Sequence, residues 1–250
     1  MINRGFFVYH FSANKREKLI LPSTKNRKMK NIVVLTGAGI SAESGISTFR
    51  DSNGLWENHD IMEVASIDGW HRNPALVLEF YNQRRRQLKN VMPNAAHEYL
   101  AKLEEKYHVN IITQNVDNLH EKAGSTQVIH LHGELTKACS EKNKSLAVDW
   151  WDDIVLGDLA EDGAQLRPYI VWFGEAVPMM EKAIELVLQA DLFLVIGTSL
   201  QVYPAASLLD FVPNNCPIYY IDPKADEINY SSKINTIRKT ATEGVKCLNL

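Results

Sequence analysis

The chain has few cysteines, no long apolar run and no excess of positive charge, and each absence excludes a class of protein. Three cysteines, Cys139, Cys216 and Cys247, occur in 250 residues. Widely separated and odd in number, they argue against a disulfide framework and suit a reducing compartment. No apolar stretch approaches the roughly 20 residues that span a bilayer, and the N-terminus lacks the apolar core and small-residue cleavage site of a secretory signal. No membrane role is expected, and the chain reads as soluble and cytoplasmic. With 27 Lys and Arg against 30 Asp and Glu, nothing predicts direct nucleic-acid binding, which shows as a basic domain or stripe. Apolar residues are plentiful: at 45% they supply a core for one large domain, or for a large and a small one.

The one local charge excess lies in residues 1–28, where Arg4, Lys15, Arg16, Lys18, Lys25, Arg27 and Lys28 face the single acid Glu17. Organellar presequences share this balance, so a targeting arm stays open. The segment is read as a disordered extension, because Met29 stands two residues before the first core strand and is placed to begin the folded unit 29–250.

The apolar run Ile32-Val33-Val34-Leu35 feeds Gly37-Ala38-Gly39-Ile40-Ser41-Ala42-Glu43-Ser44-Gly45-Ile46-Ser47-Thr48-Phe49-Arg50-Asp51. Gly37-x-Gly39-x-x-Ala42 meets the permissive dinucleotide fingerprint: glycines let the backbone approach an anion, and amides opening the next helix can donate to a pyrophosphate. The spacing alone fits a cofactor loop and an ordinary tight turn equally well. Further strand-like runs also end in polar clusters. Residues 109–112 reach Thr113-Gln114-Asn115-Val116-Asp117-Asn118, 128–131 reach His132-Gly133-Glu134, 192–196 reach Gly197-Thr198-Ser199, and 218–221 reach Asp222. A parallel sheet gathers its ligand at such carboxyl ends.

Together with Val171-Trp172-Phe173-Gly174-Glu175, these motifs stand in the order found in the sirtuins, and from residue 30 onward the chain resembles that family of NAD-dependent protein-lysine deacylases. The resemblance implies transfer of a lysine acyl group to ADP-ribose, with release of nicotinamide and 2′-O-acyl-ADP-ribose, on acyl-lysine proteins as substrates. His132 aligns with the base that activates a ribose hydroxyl, a task suited to imidazole near neutral pH. Its neighbour His130 points the other way along a regular strand and is read as structural. Gln114, Asn115 and Asp117 align with the group that positions the nicotinamide ribose and carboxamide, Asn115 and Asp117 being counted with the catalytic set. Asn118 is read as a partial cap for the following helix. By the same resemblance NAD meets Gly37, Ala38, Gly39, Ile40, Ala42, Thr48, Phe49, Arg50, Trp56, Gly197, Thr198, Ser199, Asp222 and Ala241. Asp222 stands where asparagine is common, and a carboxylate there favours NAD over NADP. Val171, Trp172, Phe173 and Gly174 align with the segment that binds an extended peptide between two lobes.

The expected fold is α/β: a doubly wound, Rossmann-like parallel sheet with a smaller composite lobe built from two insertions, about 54–91 and 136–168. Helices are predicted over 74–89, 95–106 and 178–190, the last carrying Ala183, Ile184, Val187 and Leu188 on one face. In sirtuins the small lobe is usually pinned by zinc through two cysteine pairs. Here Cys139 stands alone in that interval, so no zinc or other metal is expected, and the lobe must fold by packing, with Trp150 and Trp151 as nucleus. Within Phe80-Tyr81-Asn82-Gln83-Arg84-Arg85-Arg86, Tyr81 and Arg84 share a helix face. They resemble the pair by which one sirtuin class accepts succinyl- and malonyl-lysine beside acetyl-lysine, whereas Arg85 and Arg86 read as a solvated basic face. Two other classes compete. A dehydrogenase needs an acid ending a second strand about 20 positions on, where Glu57 lies in a segment unlike a strand. A silent NAD-binding scaffold is disfavoured by intact Asn115, Asp117 and His132.

Overall fold

The computed structural model describes residues 29–47, 55–56, 59–225 and 234–250. The basic segment 1–28 and the predicted cofactor contacts Thr48, Phe49 and Arg50 lie outside the described residues.

Strand β1 (Asn31–Thr36) is buried at every position. Val33 and Leu35 pack with Phe193 and Val195, while Ile32 and Val34 pack with Leu194 and Ile196. Alternate side chains leave opposite faces of a strand, so an unbroken apolar run marks a strand covered on both sides. The other strands of the main sheet are β4 (His108–Thr113), β5 (Val128–His130), β9 (Leu192–Ile196), β10 (Ile218–Ile221) and β11 (Ile234–Ile237). All pair in parallel, in the order β11-β10-β9-β1-β4-β5. Helices α5 (Ala95–Leu103) and α8 (Ala241–Val245) cover one face. The other is covered by α7 (Met180–Val187) and a 3₁₀ segment, Ala205–Phe211. Both α5 and α7 are shorter than the periodicity suggests, and Leu188, just past α7, is 50% exposed instead of inward. Strand order reverses around β1, between β4 and β9, and the crevice at such a switch point is where open α/β sheets bind ligands.

The smaller lobe combines the antiparallel pair β2 (Leu55–Trp56) and β3 (His59–Asp60), α2 (Ile61–Val64), α3 (Ile67–Arg72) and α4 (Pro74–Leu88) with an antiparallel sheet in the order β7-β6-β8. Its strands are β6 (Gly133–Ser140), β7 (Val148–Asp149) and β8 (Leu166–Ile170). A register shift between Glu134 and Ala138 breaks the two-residue alternation along β6. The start of α4 is locally encoded: Pro74 stands at its first turn and the Asn73 side chain accepts from the Leu76 amide (3.1 Å).

The nucleus of this lobe is not the Trp150–Trp151 pair. Trp151 is 43% exposed and Trp150 half-buried, since neighbours on an extended chain point opposite ways. Trp172, Trp70, Tyr81, Phe80 and Ile154 fill the core instead, each such large apolar side chain contributing about 1.5–3 kcal/mol by burial. Arg85 also departs from expectation, being 1% exposed where a solvated residue was predicted. It donates through Nε to Leu135 O (3.0 Å) and through Nη1 to Asn82 Oδ1 (2.8 Å). Asn82 in turn exchanges two bonds with the Ile154 backbone, both 2.9 Å, so one turn of α4 ties both insertions together. Burial pulls the Arg85 pKa down to about 10. Arg86 is exposed, as predicted, and pairs with Glu79 and Asp153.

Cys139 is buried and free, and among the described residues no cluster of three or more His, Cys, Asp or Glu side chains could hold a metal ion. Metal analysis of protein purified without added zinc is expected to find well under one zinc per chain. About one tightly held zinc, lost in Cys139→Ala, would reveal a ligand set formed elsewhere.

Candidate active site

Four strand ends of the main sheet open onto one cleft, and their polar residues bond to one another. Gln114 Nε2 donates to Thr198 Oγ1 at 2.9 Å, joining the end of β4 to that of β9. Asn115 Nδ2 donates to Gly37 O and to Ser41 Oγ, both 3.2 Å. Its two amide hydrogens are thus committed inward, leaving Oδ1 as an acceptor for a hydroxyl. Ser41 Oγ donates to Asp117 Oδ2 (3.0 Å), and Asp117 Oδ1 accepts from the Leu119 amide (3.1 Å). Burial raises the Asp117 pKa, with those two bonds opposing. Asn118 does not cap the next helix, α6 (Leu119–Lys122); Asp117 takes the free amide, and Asn118 Oδ1 is buried with no hydrogen-bond partner among the described residues.

The glycine turn differs from the expected amide cradle. Helix α1 (Gly39–Ala42) is a single turn. Gly37 N donates to Ile196 O, Gly39 N to Gly197 O, Ile40 N to Gly37 O and Ser41 N to Ala38 O. Four amides are therefore spent within the protein, and of residues 37–41 Ala38 alone keeps a backbone N–H with no acceptor among the described residues. The glycines serve close approach instead: a Cβ on Gly37 would lie 2.7 Å from Thr198 Cβ, and one on Gly39 2.7 Å from Gly197 Cα. A side chain at either position would push the turn away from the end of β9; the close approach gathers the donors and acceptors of the strand ends, a set that fits a dinucleotide.

His132 lies at the edge of this group. Its Nδ1 stands 3.0 Å from the Gln114 carbonyl oxygen, so Nδ1 carries the proton and Nε2 the lone pair. Burial lowers its pKa, only partly offset by that bond, and the ring is neutral near pH 7. The Val171 amide donates to His132 O (2.8 Å), and Phe173 bridges to Ala65 and Ile67 across the lobe. Residues 171–174 thus lie between His132 and the lobe, ending in a turn at Gly174 (φ 91°).

On the lobe side Trp172 Nε1 donates to Tyr81 Oη (3.0 Å), which leaves the phenol proton as Tyr81's own donor. Arg84 Cζ stands 3.2 Å from the Phe80 ring centroid and 5.0 Å from that of Trp56, and Nη1 donates to Phe80 O (2.6 Å). Trp56 therefore joins the Phe80–Tyr81–Arg84 group. Arg84, Val116, Asp117 and Leu135 line one recess. Asp222 is buried at the end of β10, its Oδ1 accepting from Lys224 N (2.9 Å). Ile40 and Ala241 are both buried in one core cluster, Ala42 is exposed and Ser199 half-buried.

Sequence reasoning passed over Ser41, which lies inside the glycine motif, and the buried histidines His97 and His120. His97 Nδ1 accepts from the Asn94 amide (3.3 Å) and Nε2 faces Ser41 Oγ (3.5 Å); burial pulls its pKa down to about 4. The only sequence signal was a hydroxyl on the inward side of a one-turn helix.

The Sir2 family profile matches residues 37–204. An NAD-dependent protein deacylase of Helicobacter pylori is 60% identical over 220 residues, 88% of this chain and 96% of the relative. One of Bacteroides thetaiotaomicron is 56% identical over 225 residues, covering 87% and 96%. Among solved structures, a Sir2 homolog–NAD complex is 36% identical, covers 87% of each chain and superposes with a TM-score of 0.75. A Sir2 complex with a deacetylated p53 peptide and 3′-O-acetyl ADP ribose is 32% identical, covers 88% of this chain and 92% of that one, and has a TM-score of 0.72.

Proposed function

The chain belongs to the Sir2 family and is an NAD-dependent protein deacylase, and from that premise we propose that His132 is its general base, with Asn115 and Asp117 holding the reacting ribose and the carboxamide. NAD supplies an ADP-ribosyl acceptor with nicotinamide as leaving group. The observation that carries the assignment is the His132–Gln114 bond: it fixes the tautomer, leaving Nε2 free to take a hydroxyl proton. Asn115 Oδ1 accepts from a hydroxyl while its Nδ2 is anchored, and Asp117 orients an amide against a rigid backbone. Thr198, Ser199, Asp222 and the Ala38 amide belong to the nucleotide side. A dehydrogenase is disfavoured, because β4, next to β1, ends in Thr113 and Gln114 without the required acid. The catalytic unit spans 29–250, its small lobe drawn from 54–91 and 136–168. Among the described residues no helix is long and apolar enough to cross a membrane, and the free thiols suit a cytoplasmic setting. Incubation with NAD and acyl-lysine peptides, followed by mass spectrometry of nicotinamide and deacylated product, tests the whole reading; no NAD-dependent product would overturn it.

The acyl class is read from Tyr81 and Arg84. A guanidinium and a phenol proton suit the carboxylate of succinyl- or malonyl-lysine, and the aromatic wall of Phe80 and Trp56 holds the guanidinium in place. Arg84→Met is expected to cut desuccinylation by about 1–3 kcal/mol, roughly 5- to 150-fold, with a much smaller loss of deacetylation. Equal losses on both peptides would remove the carboxylate pocket and leave the deacylase intact.

A further inference from the structure

The four carbonyls of residues 113–116 are all fastened to the segment 130–135, and two of the fasteners are imidazoles. Leu131 N donates to Thr113 O (2.9 Å) and Leu135 N to Val116 O (2.8 Å). Between them His132 Nδ1 faces Gln114 O and His130 Nδ1 faces Asn115 O, each at 3.0 Å. Strand β5 ends at His130, so ring N–H groups continue where the backbone ladder stops.

The two rings differ at their second nitrogen. His130 Nε2 stands 2.8 Å from Glu121 Oε1. A carbonyl and a carboxylate are both acceptors, so both nitrogens of His130 must carry protons to satisfy them. The side chain is 7% exposed. Two residues apart on one segment, the protein thus keeps one imidazolium and one neutral base.

We propose that His130, held as a cation between the Asn115 carbonyl and the Glu121 carboxylate, is a positioning residue that fixes the cofactor-facing loop 114–117 and sets the alkaline limit of NAD affinity. The inference rests on the reading that Asn115 and Asp117 face NAD. The charged and titratable groups around His130 are Glu121 and His120 on α6, Asp117 in the loop, and Glu134 and Lys137 on β6. Lys137 is paired with Glu134 at 2.7 Å, and burial, then the neighbouring His97 and His130, keep His120 neutral. Burial pushes the His130 pKa down, but Glu121 and the Asn115 carbonyl outweigh it and leave it raised. A raised histidine contributes fully below its ordinary value, and the contribution is lost as pH rises through the folded value. Above that point one of its two hydrogen bonds must break and the loop loses a tether.

The test measures KM for NAD and kcat from about pH 6 to about pH 9 in wild type, Glu121→Gln, His130→Gln and Asn115→Ala, with thermal melts and ¹⁵N spectra of the histidine rings. In wild type KM is expected to rise about tenfold or more across the alkaline transition, the loss of a charge-assisted bond. Glu121→Gln moves that rise to lower pH, His130→Gln shows the high KM throughout, and KM changes more than kcat in both. The ring spectra of the wild type show His130 protonated at both nitrogens at neutral pH. Unchanged KM profiles with lowered melting temperatures, or a singly protonated His130, would overturn the proposal. The ring spectrum decides even where a variant fails to fold. If Asn115→Ala also leaves KM unmoved, it is the cofactor-site reading that fails.

Discussion

His132→Ala is expected to lower the rate of deacylation about 10²- to 10⁴-fold, the usual contribution of one general base. NAD binding should survive, because the residues assigned to the dinucleotide hold one another without the imidazole: Gln114 to Thr198, Asn115 to Gly37 and Ser41, Asp117 to Leu119 and Ser41. The variant removes one tether on Gln114 O, so a modest rise in KM is expected beside the large fall in kcat. The wild-type profile carries the same signature. Burial lowers the His132 pKa, so kcat should fall only as pH drops below the ordinary histidine range. Turnover near wild type in the variant, measured by nicotinamide release under saturating NAD, would exclude His132 from proton transfer.

The second large effect concerns stability. Arg167 is 1% exposed, stacked with Cζ 3.4 Å from the Trp172 ring centroid, and bonded bidentately to Glu175 at 2.9 and 3.1 Å. Glu175 also accepts from Lys144 (2.8 Å) and the Trp172 amide (2.8 Å), and Trp172 in turn holds Tyr81. Glu175→Ala leaves a buried guanidinium without its counter-charge, which costs about 3–5 kcal/mol. For a chain of this size that corresponds to a drop in Tm of roughly 6–20 °C. Glu175→Gln, which keeps hydrogen-bonding capacity, should lose less. Burial pushes the Glu175 carboxyl up, but the bonds from Arg167 and Lys144 outweigh it and hold it below its ordinary value. Its stabilisation is therefore complete above the glutamate range and lost as pH falls through the depressed value. An unchanged Tm in Glu175→Ala would show that the lobe does not depend on this pair.

Much of the fold and the candidate site was legible because it is written locally. The apolar runs of β1 and β9 announce strands buried on both faces, the polar clusters that follow mark the cleft, and Asn73-Pro74 opens α4 where the period says it should. His132, Asn115 and Asp117 were assigned by resemblance to the sirtuins, and they follow the ends of β5 and β4 closely in the chain. What stayed illegible depends on partners far along the chain. A run of three arginines looks solvated until α4 packs and Leu135 O and Asn82 meet Arg85. Trp150 and Trp151 look like a nucleus until Trp172 arrives from the cleft segment with Arg167 behind it. The glycine motif promises free amides, yet β9 claims two of them through Ile196 O and Gly197 O. His130 and His132 differ by one carboxylate, Glu121, nine residues before His130 in the chain and 2.8 Å from its ring. Sequence fixes which groups are present and the local period they follow; burial and hydrogen-bond partners, which decide protonation and role, exist only once distant segments are brought together.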